Sequence, residues 1–261
     1  MSARTSSAPL TLLCLAAGVT LMSCTAEVSE PKAADPRVEQ FAKLPDWHGI
    51  WAFEGVNPGI SGFEDLVKGG TTSPLVGADA PWNEAGRAKF EKIFVAASTR
   101  KSNGWGFPMM MSSLAPLQFV ITPEETLIVN LYSEVRHIYT DGRDHPKAED
   151  RWLTTWGDSV GHWEGDTLVI DTVSVRDPNL YFQIAPLLSG EAHYVERLRL
   201  TAPGRIESQM TIEDPQTLTK PWIVKLTYLK TPELDRLIHD DFTNDRSEVE
   251  NDAFAIEPPK K

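Results

Sequence analysis

The side chains able to move protons or hold a ligand concentrate in three stretches. "EVRHIYTDGRDHP" gathers Arg136, His137, Tyr139, Asp141, Arg143 and His145. "SVGHWEGDTLVIDT", Ser159 to Thr172, adds His162, Glu164, Asp166 and Asp171, and "HYVERLRL" places Glu196 between Val195 and Arg197, two residues before Leu198. A histidine beside a carboxylic acid is the usual equipment for general acid–base catalysis. In that chemistry Glu196 is the candidate buried acid, His145 or His137 the candidate base, and Tyr139 the group that orients a substrate.

Other chemistries find less support. His137, His145, His162 and His193 are scattered, with no H-x-H or H-E-x-x-H spacing, so only a zinc site assembled from different strands stays open. A nucleophile elbow, a phosphate-binding glycine loop and a dinucleotide fingerprint are all missing, and no cofactor is expected. The charge of -12 over the whole chain argues against nucleic acid and against electrostatic docking on anionic lipid.

Each reactive residue also has a plainer role, set by the elements that carry it. Gly165-Asp166 suits a two-residue hairpin loop, which pairs Trp163 with Leu168, His162 with Val169 and Gly161 with Ile170. Paired residues share a face, so Trp163, Leu168 and Ile170 are apolar together and His162, Val169 and Asp171 lie opposite. In the next hairpin a three-residue loop, Ala202 to Gly204 with Gly204 left-handed, sets Leu200 against Ile206, Leu198 against Ser208, Glu196 against Met210 and Tyr194 against Ile212. Glu196 then belongs to the inner face. A carboxylate there needs a partner such as a buried Arg or Tyr, or a function. With Ser133-Glu134 as a loop, His137 pairs with Asn130 and Tyr139 with Ile128, giving one face with Asn, His and Tyr together.

The remaining pattern has a period of two. Strands are expected near residues 48–54, 117–122, 126–132, 134–140, 159–164, 167–175, 192–201, 205–213 and 222–230, with one helix over Glu84 to Ala97 capped by Asn83. Short consecutive strands with tight turns read as an all-β, lipocalin-like antiparallel meander closing into a barrel with one short helix. The barrel domain is expected over residues 41–240, followed by an extended or disordered tail, 241–261.

The N-terminus, "MSARTSSAPLTLLCLAAGVTLMSC", has the order of a secretory signal, one Arg and then an apolar run too short to span a membrane. Residues 1–23 are expected to be cleaved, leaving Cys24 for lipidation within a polar tether, 24–40, and placing the chain in the cell envelope, attached by lipid alone. Ordinary export is the alternative. Cys14 leaves with the signal, so no thiol remains to pair.

Two resemblances follow from these motifs. "DWHGIW" resembles the lipocalin G-x-W signature at Gly49, Ile50 and Trp51, which implies a tryptophan plugging one barrel end. The chain also resembles a large family of exported bacterial proteins through Asp141 to Pro146, Ser159 to Leu168, His193 to Arg197, and Ile212 to Pro215 with Lys220 to Trp222. Here "LLSG" replaces that family's P-H-S-E run, which implies a greasier mouth and puts histidine chemistry at that point in doubt.

A small barrel with this supply of Trp, Met and Phe suits one small apolar or amphipathic ligand. Trp105, Met110, Trp163 and Tyr181 are the first candidates to line its site, with Tyr194, Trp222 and Tyr228 from later segments. "WGFPMMM" has a packing role as its alternative. The function expected is binding, with a cofactor-independent lyase, isomerase or dehydratase and a structural protein with a filled barrel as rivals.

Overall fold

The computed structural model describes residues 36–54, 74–77, 79–96, 105–113, 115–177, 188–237, 247–250 and 253–256. The chain divides at Ala34–Asp35, and the first of the two units, which holds Cys24, lies outside these residues. Within the second, nine strands close into one barrel in sequence order: β1 Ile50–Phe53, β2 Leu117–Ile121, β3 Glu125–Asn130, β4 Val135–Tyr139, β5 Asp158–Glu164, β6 Thr167–Val173, β7 His193–Ala202, β8 Arg205–Glu213 and β9 Trp222–Lys230. The all-β barrel read from the period-two pattern is therefore present. Closure comes from β1, which pairs with β2 on one side and β9 on the other.

Two hairpins have the registers their turn residues predict. Glu164 opposes Thr167 across Gly165, whose φ is +63°, and Gly161 opposes Ile170. Gly204, at φ +76°, turns the β7–β8 hairpin so that Glu196 opposes Met210 and Leu198 opposes Ser208.

The β3–β4 hairpin departs from expectation. Leu127, not Asn130, opposes His137, and Glu125, not Ile128, opposes Tyr139. The cause is a wider loop, held from within. The Asn130 side chain accepts from the Tyr132 and Glu134 backbone N–H groups at 3.0 and 3.1 Å and donates to Glu134 at 2.6 Å, while Ser133 takes a positive φ of 59°. The register moves by an odd number of residues, which exchanges the faces. Arg136 and Ile138 are buried inside, and His137 and Tyr139 lie outside.

A second departure is the β4–β5 junction, which is parallel through Tyr139 and Val160, while every other junction in the barrel is antiparallel. Residues 140–157 make the crossover that a parallel pair requires.

Outside the barrel, α1 Pro36–Phe41 forms within the expected tether, with Pro at the position helices accept it best. The expected helix is α2, Glu84–Ala96, with the Gly86 N–H bonded to the Asn83 side chain at 2.9 Å. Further along the chain, β10 Ser247–Glu250 and β11 Ala253–Ile256 pair antiparallel with each other.

A nine-stranded barrel is wider than its wall residues alone can fill. The segment Trp105–Ser113 supplies the rest. It enters through a cis Phe107–Pro108 bond into a 3-10 turn, Met109–Ser112, and Phe107, Met109, Met110 and Met111 have no exposed surface. This plug is held at its start by Glu134, which accepts from the Trp105 N–H at 2.7 Å, and at its end by the Tyr228 hydroxyl, which donates to the Met111 carbonyl at 2.7 Å. Burial raises the Glu134 carboxyl above its usual range, against the hydrogen bonds from Asn130, Trp105 and Gly106.

Helix α2 seats closely enough on the 214–219 turn that a Cβ at Gly86 would lie 2.2 Å from the Thr217 carbonyl oxygen. Gly86→Ala adds about 1 kcal/mol of helix propensity but overpacks this contact, typically at 1–3 kcal/mol. Urea unfolding of the variant is expected to show a net loss of stability. A gain would mean that the helix does not rest on Thr217.

Candidate functional site

Alternation along β4 and β7, which have β5 and β6 between them, aims Arg136 and Glu196 into the barrel. Their side chains meet with Nη2 and Oε2 2.5 Å apart, each with 0% exposure. Nη2 also donates to Thr172 Oγ1 at 3.0 Å and lies 3.3 Å from Ser159 Oγ, and these two hydroxyls are 2.9 Å apart. The guanidinium stacks on the plug, its central carbon 3.9 Å from the centroid of the Phe107 ring, which packs edge-on against Tyr194. Glu196 is thus the carboxylate with a buried Arg partner that its register allowed for, and Arg136 is that partner.

The polar centre is unevenly satisfied. Arg136 Nη2 carries the guanidinium's hydrogen bonds, while Arg136 Nε and Nη1, Glu196 Oε1 and Ser208 Oγ are buried with no hydrogen-bond partner among the described residues. Ser208 follows on the same inner face, diagonal to Glu196. Leaving such atoms unpaired in an apolar interior costs about 1–3 kcal/mol each, more for charged groups, so native proteins rarely do it without a use for them. Tyr228 adds a phenol whose pKa is raised well above its usual value, first by burial and then by the Glu196 charge, with Arg136 opposing.

A second cluster sits on the outer wall. His145, from the crossover, contacts Asp158 through Nδ1 at 2.5 Å and Asp171 through Nε2 at 3.0 Å. His193 Nε2 lies 2.9 Å from both Asp171 oxygens. Asp171 shares a face with His162, but His162 turns to Glu164 at 3.2 Å. The crossover that brings His145 to Asp171 opens on the Asp141-Gly142 turn, Gly142 at φ +85°, but a turn signal does not announce a parallel return. Further along the wall, His137 pairs with Glu125 at 2.9 Å, Arg143 stacks on Tyr139 at 4.1 Å, and Arg143 holds the Asp141 carboxyl down at about 2.

The four candidate catalytic residues therefore do not form one site. Glu196 faces inward, whereas His145, His137 and Tyr139 are outside, with the barrel wall between. Of the candidate ligand residues, Tyr194 and Tyr228 line the interior, Met110 belongs to the plug, and Trp105 stacks beside Tyr132 at the plug's start. Trp163 packs 5.3 Å from Trp47, and Trp222 lies against Trp82 at 6.2 Å. Tyr181 lies outside the described residues. Among the described residues no group of three or more His, Cys, Asp or Glu side chains is arranged to hold a metal ion.

The fold and this site define a closed all-β barrel, compatible with ligand binding, around a buried ion pair and an inserted plug. No protein-family model matches the chain, and no curated protein matches it.

Arg136→Met leaves Glu196 buried and unpaired, a change that costs about 3–5 kcal/mol. The double variant Arg136→Met/Glu196→Leu is expected to recover most of this in urea unfolding, because an apolar pair leaves no orphaned charge. A single variant as stable as the parent would place the pair in contact with water. Tyr228, its pKa raised only in the fold, contributes stability below the unfolded value of about 10 and loses it as pH rises toward the folded value. The phenolate absorbance of folded Tyr228→Phe should therefore match that of the parent up to the pH at which the parent unfolds.

Proposed function

We propose that this chain is a cell-envelope lipoprotein, anchored through Cys24, whose barrel binds one small apolar or amphipathic molecule. The observation that carries the reading is the set of unpaired polar atoms on Arg136, Glu196 and Ser208, enclosed by apolar walls. A few convergent polar groups in an apolar container are the usual composition of a ligand site. Tyr194, Tyr228 and Met210 supply apolar surface around the pair. Room for the ligand comes from the plug: Met109, Met110 and Met111 are unbranched, adaptable side chains that repack at low cost.

The membrane part of the proposal rests on the sequence around Cys24, and the large exported family resembled by the motifs agrees with it. A second reading, a structural envelope protein whose barrel is filled by its own side chains, is favoured by one observation, the complete burial of Phe107 and the three plug methionines.

Native and denaturing mass spectrometry of the purified protein separates the two. A bound mass that disappears on denaturation is expected for a binder. Its absence, in a protein that also fails to gain thermal stability from any amphipathic additive, would leave the filled barrel as the reading.

A further inference from the structure

The polar centre also carries information about which ligand it takes. Arg136 and Glu196 are paired one to one, so together they bring no net charge into the interior. Each nevertheless has unused capacity: Arg136 Nε and Nη1 have N–H donors to give, and Glu196 Oε1 has an acceptor to fill. Ser208 Oγ, diagonal to Glu196, can do either. A carboxylate could satisfy the arginine but would face Glu196 Oε1 as a second anion. An ammonium ion could satisfy Glu196 but would face the guanidinium. Either would also leave one uncompensated charge in a low-dielectric interior, the costliest thing to bury there.

We propose that the barrel selects an uncharged group that both donates and accepts hydrogen bonds, carried on an apolar body, and rejects the carboxylate and the ammonium ion of the same body. A primary carboxamide is the fullest match: its carbonyl oxygen can accept from one of the free arginine N–H groups, at Nε or at Nη1, while its NH₂ donates to Glu196 Oε1. An alcohol matches in part. This inference rests on the binding reading above and adds the ligand's chemical class.

The test is calorimetric titration of the intact protein with four probes on one chain, hexanamide, hexan-1-ol, hexanoate and hexylammonium, repeated with the dodecyl series. At neutral pH the amide and alcohol are expected to bind at least tenfold more tightly than the two ions. Glu196→Gln leaves the guanidinium uncompensated, so in that variant the order is expected to reverse in favour of the carboxylate. Should Glu196→Gln not fold, the parent's ranking of the four probes decides alone. Carboxylate binding by the parent as tight as the amide's would overturn the selectivity while leaving the barrel a binder. Silence from every probe at both lengths, with no co-purifying mass, would overturn the binding reading itself and this inference with it.

Discussion

Direction must alternate around a closed barrel whose junctions are all antiparallel, and it must return to itself, so such a barrel has an even number of strands. This one has nine. One junction is therefore obliged to be parallel, and a parallel junction cannot be made by a tight turn. The chain meets the constraint between β4 and β5, and residues 140–157 exist in their present form because of it. Much of the outer-wall chemistry is explained by the same need. His145, gripped by Asp158 and Asp171, ties the crossover to the first residue of β5 and to β6. The Thr154 N–H donates to the Ser174 carbonyl at 3.0 Å and the Arg176 N–H to the Thr154 carbonyl at 2.8 Å, binding the crossover's end just beyond β6. The carboxylate-flanked histidine that looks catalytic in sequence has work to do as a clasp.

The crossover reaches inward as well. The carbonyl of Thr155 accepts from the Phe107 N–H at 3.1 Å, and Phe107 is the ring on which Arg136 stacks. Wall, crossover, plug and ion pair thus form one chain of contacts. A buried ion pair contributes little net stability when weighed against a well-packed apolar pair. What Arg136 and Glu196 do secure is position: β4 and β7, separated by two strands in the wall, are tied to each other inside the barrel, and the plug is held against them. The unpaired remainder of their hydrogen-bonding capacity is what distinguishes this interior from an ordinary core.

How much of this was legible in the sequence follows from the range of the interactions involved. Each barrel strand and α2 could be placed because alternation and capping are local, and Gly165 and Gly204 fixed two registers because their turns demand positive φ. The inward aim of Glu196 came directly from the second. The β3–β4 register departs from its turn residues because the loop is governed by the Asn130 and Glu134 side chains bonding to each other, which no turn dipeptide announces, and the partner of Glu196 stays unnamed in the sequence. The grouping of His145 with Asp171 and His193 depends on a crossover, and hydrophobic period carries no trace of one. Parity alone held a clue: nine strands read as a closed antiparallel meander is a contradiction in itself.

The position of the plug in the chain constrains the order in which the protein can assemble. Trp105–Ser113 lies between β1 and β2, yet closing the wall requires β1 to meet β9, with Trp51 opposite Lys230, the longest sequence separation of any pairing in the barrel. Loop-closure entropy places that encounter late, after the β5–β9 hairpins have formed locally. The β1–β9 pairing is thus the contact that completes the wall around both the plug and the ion pair.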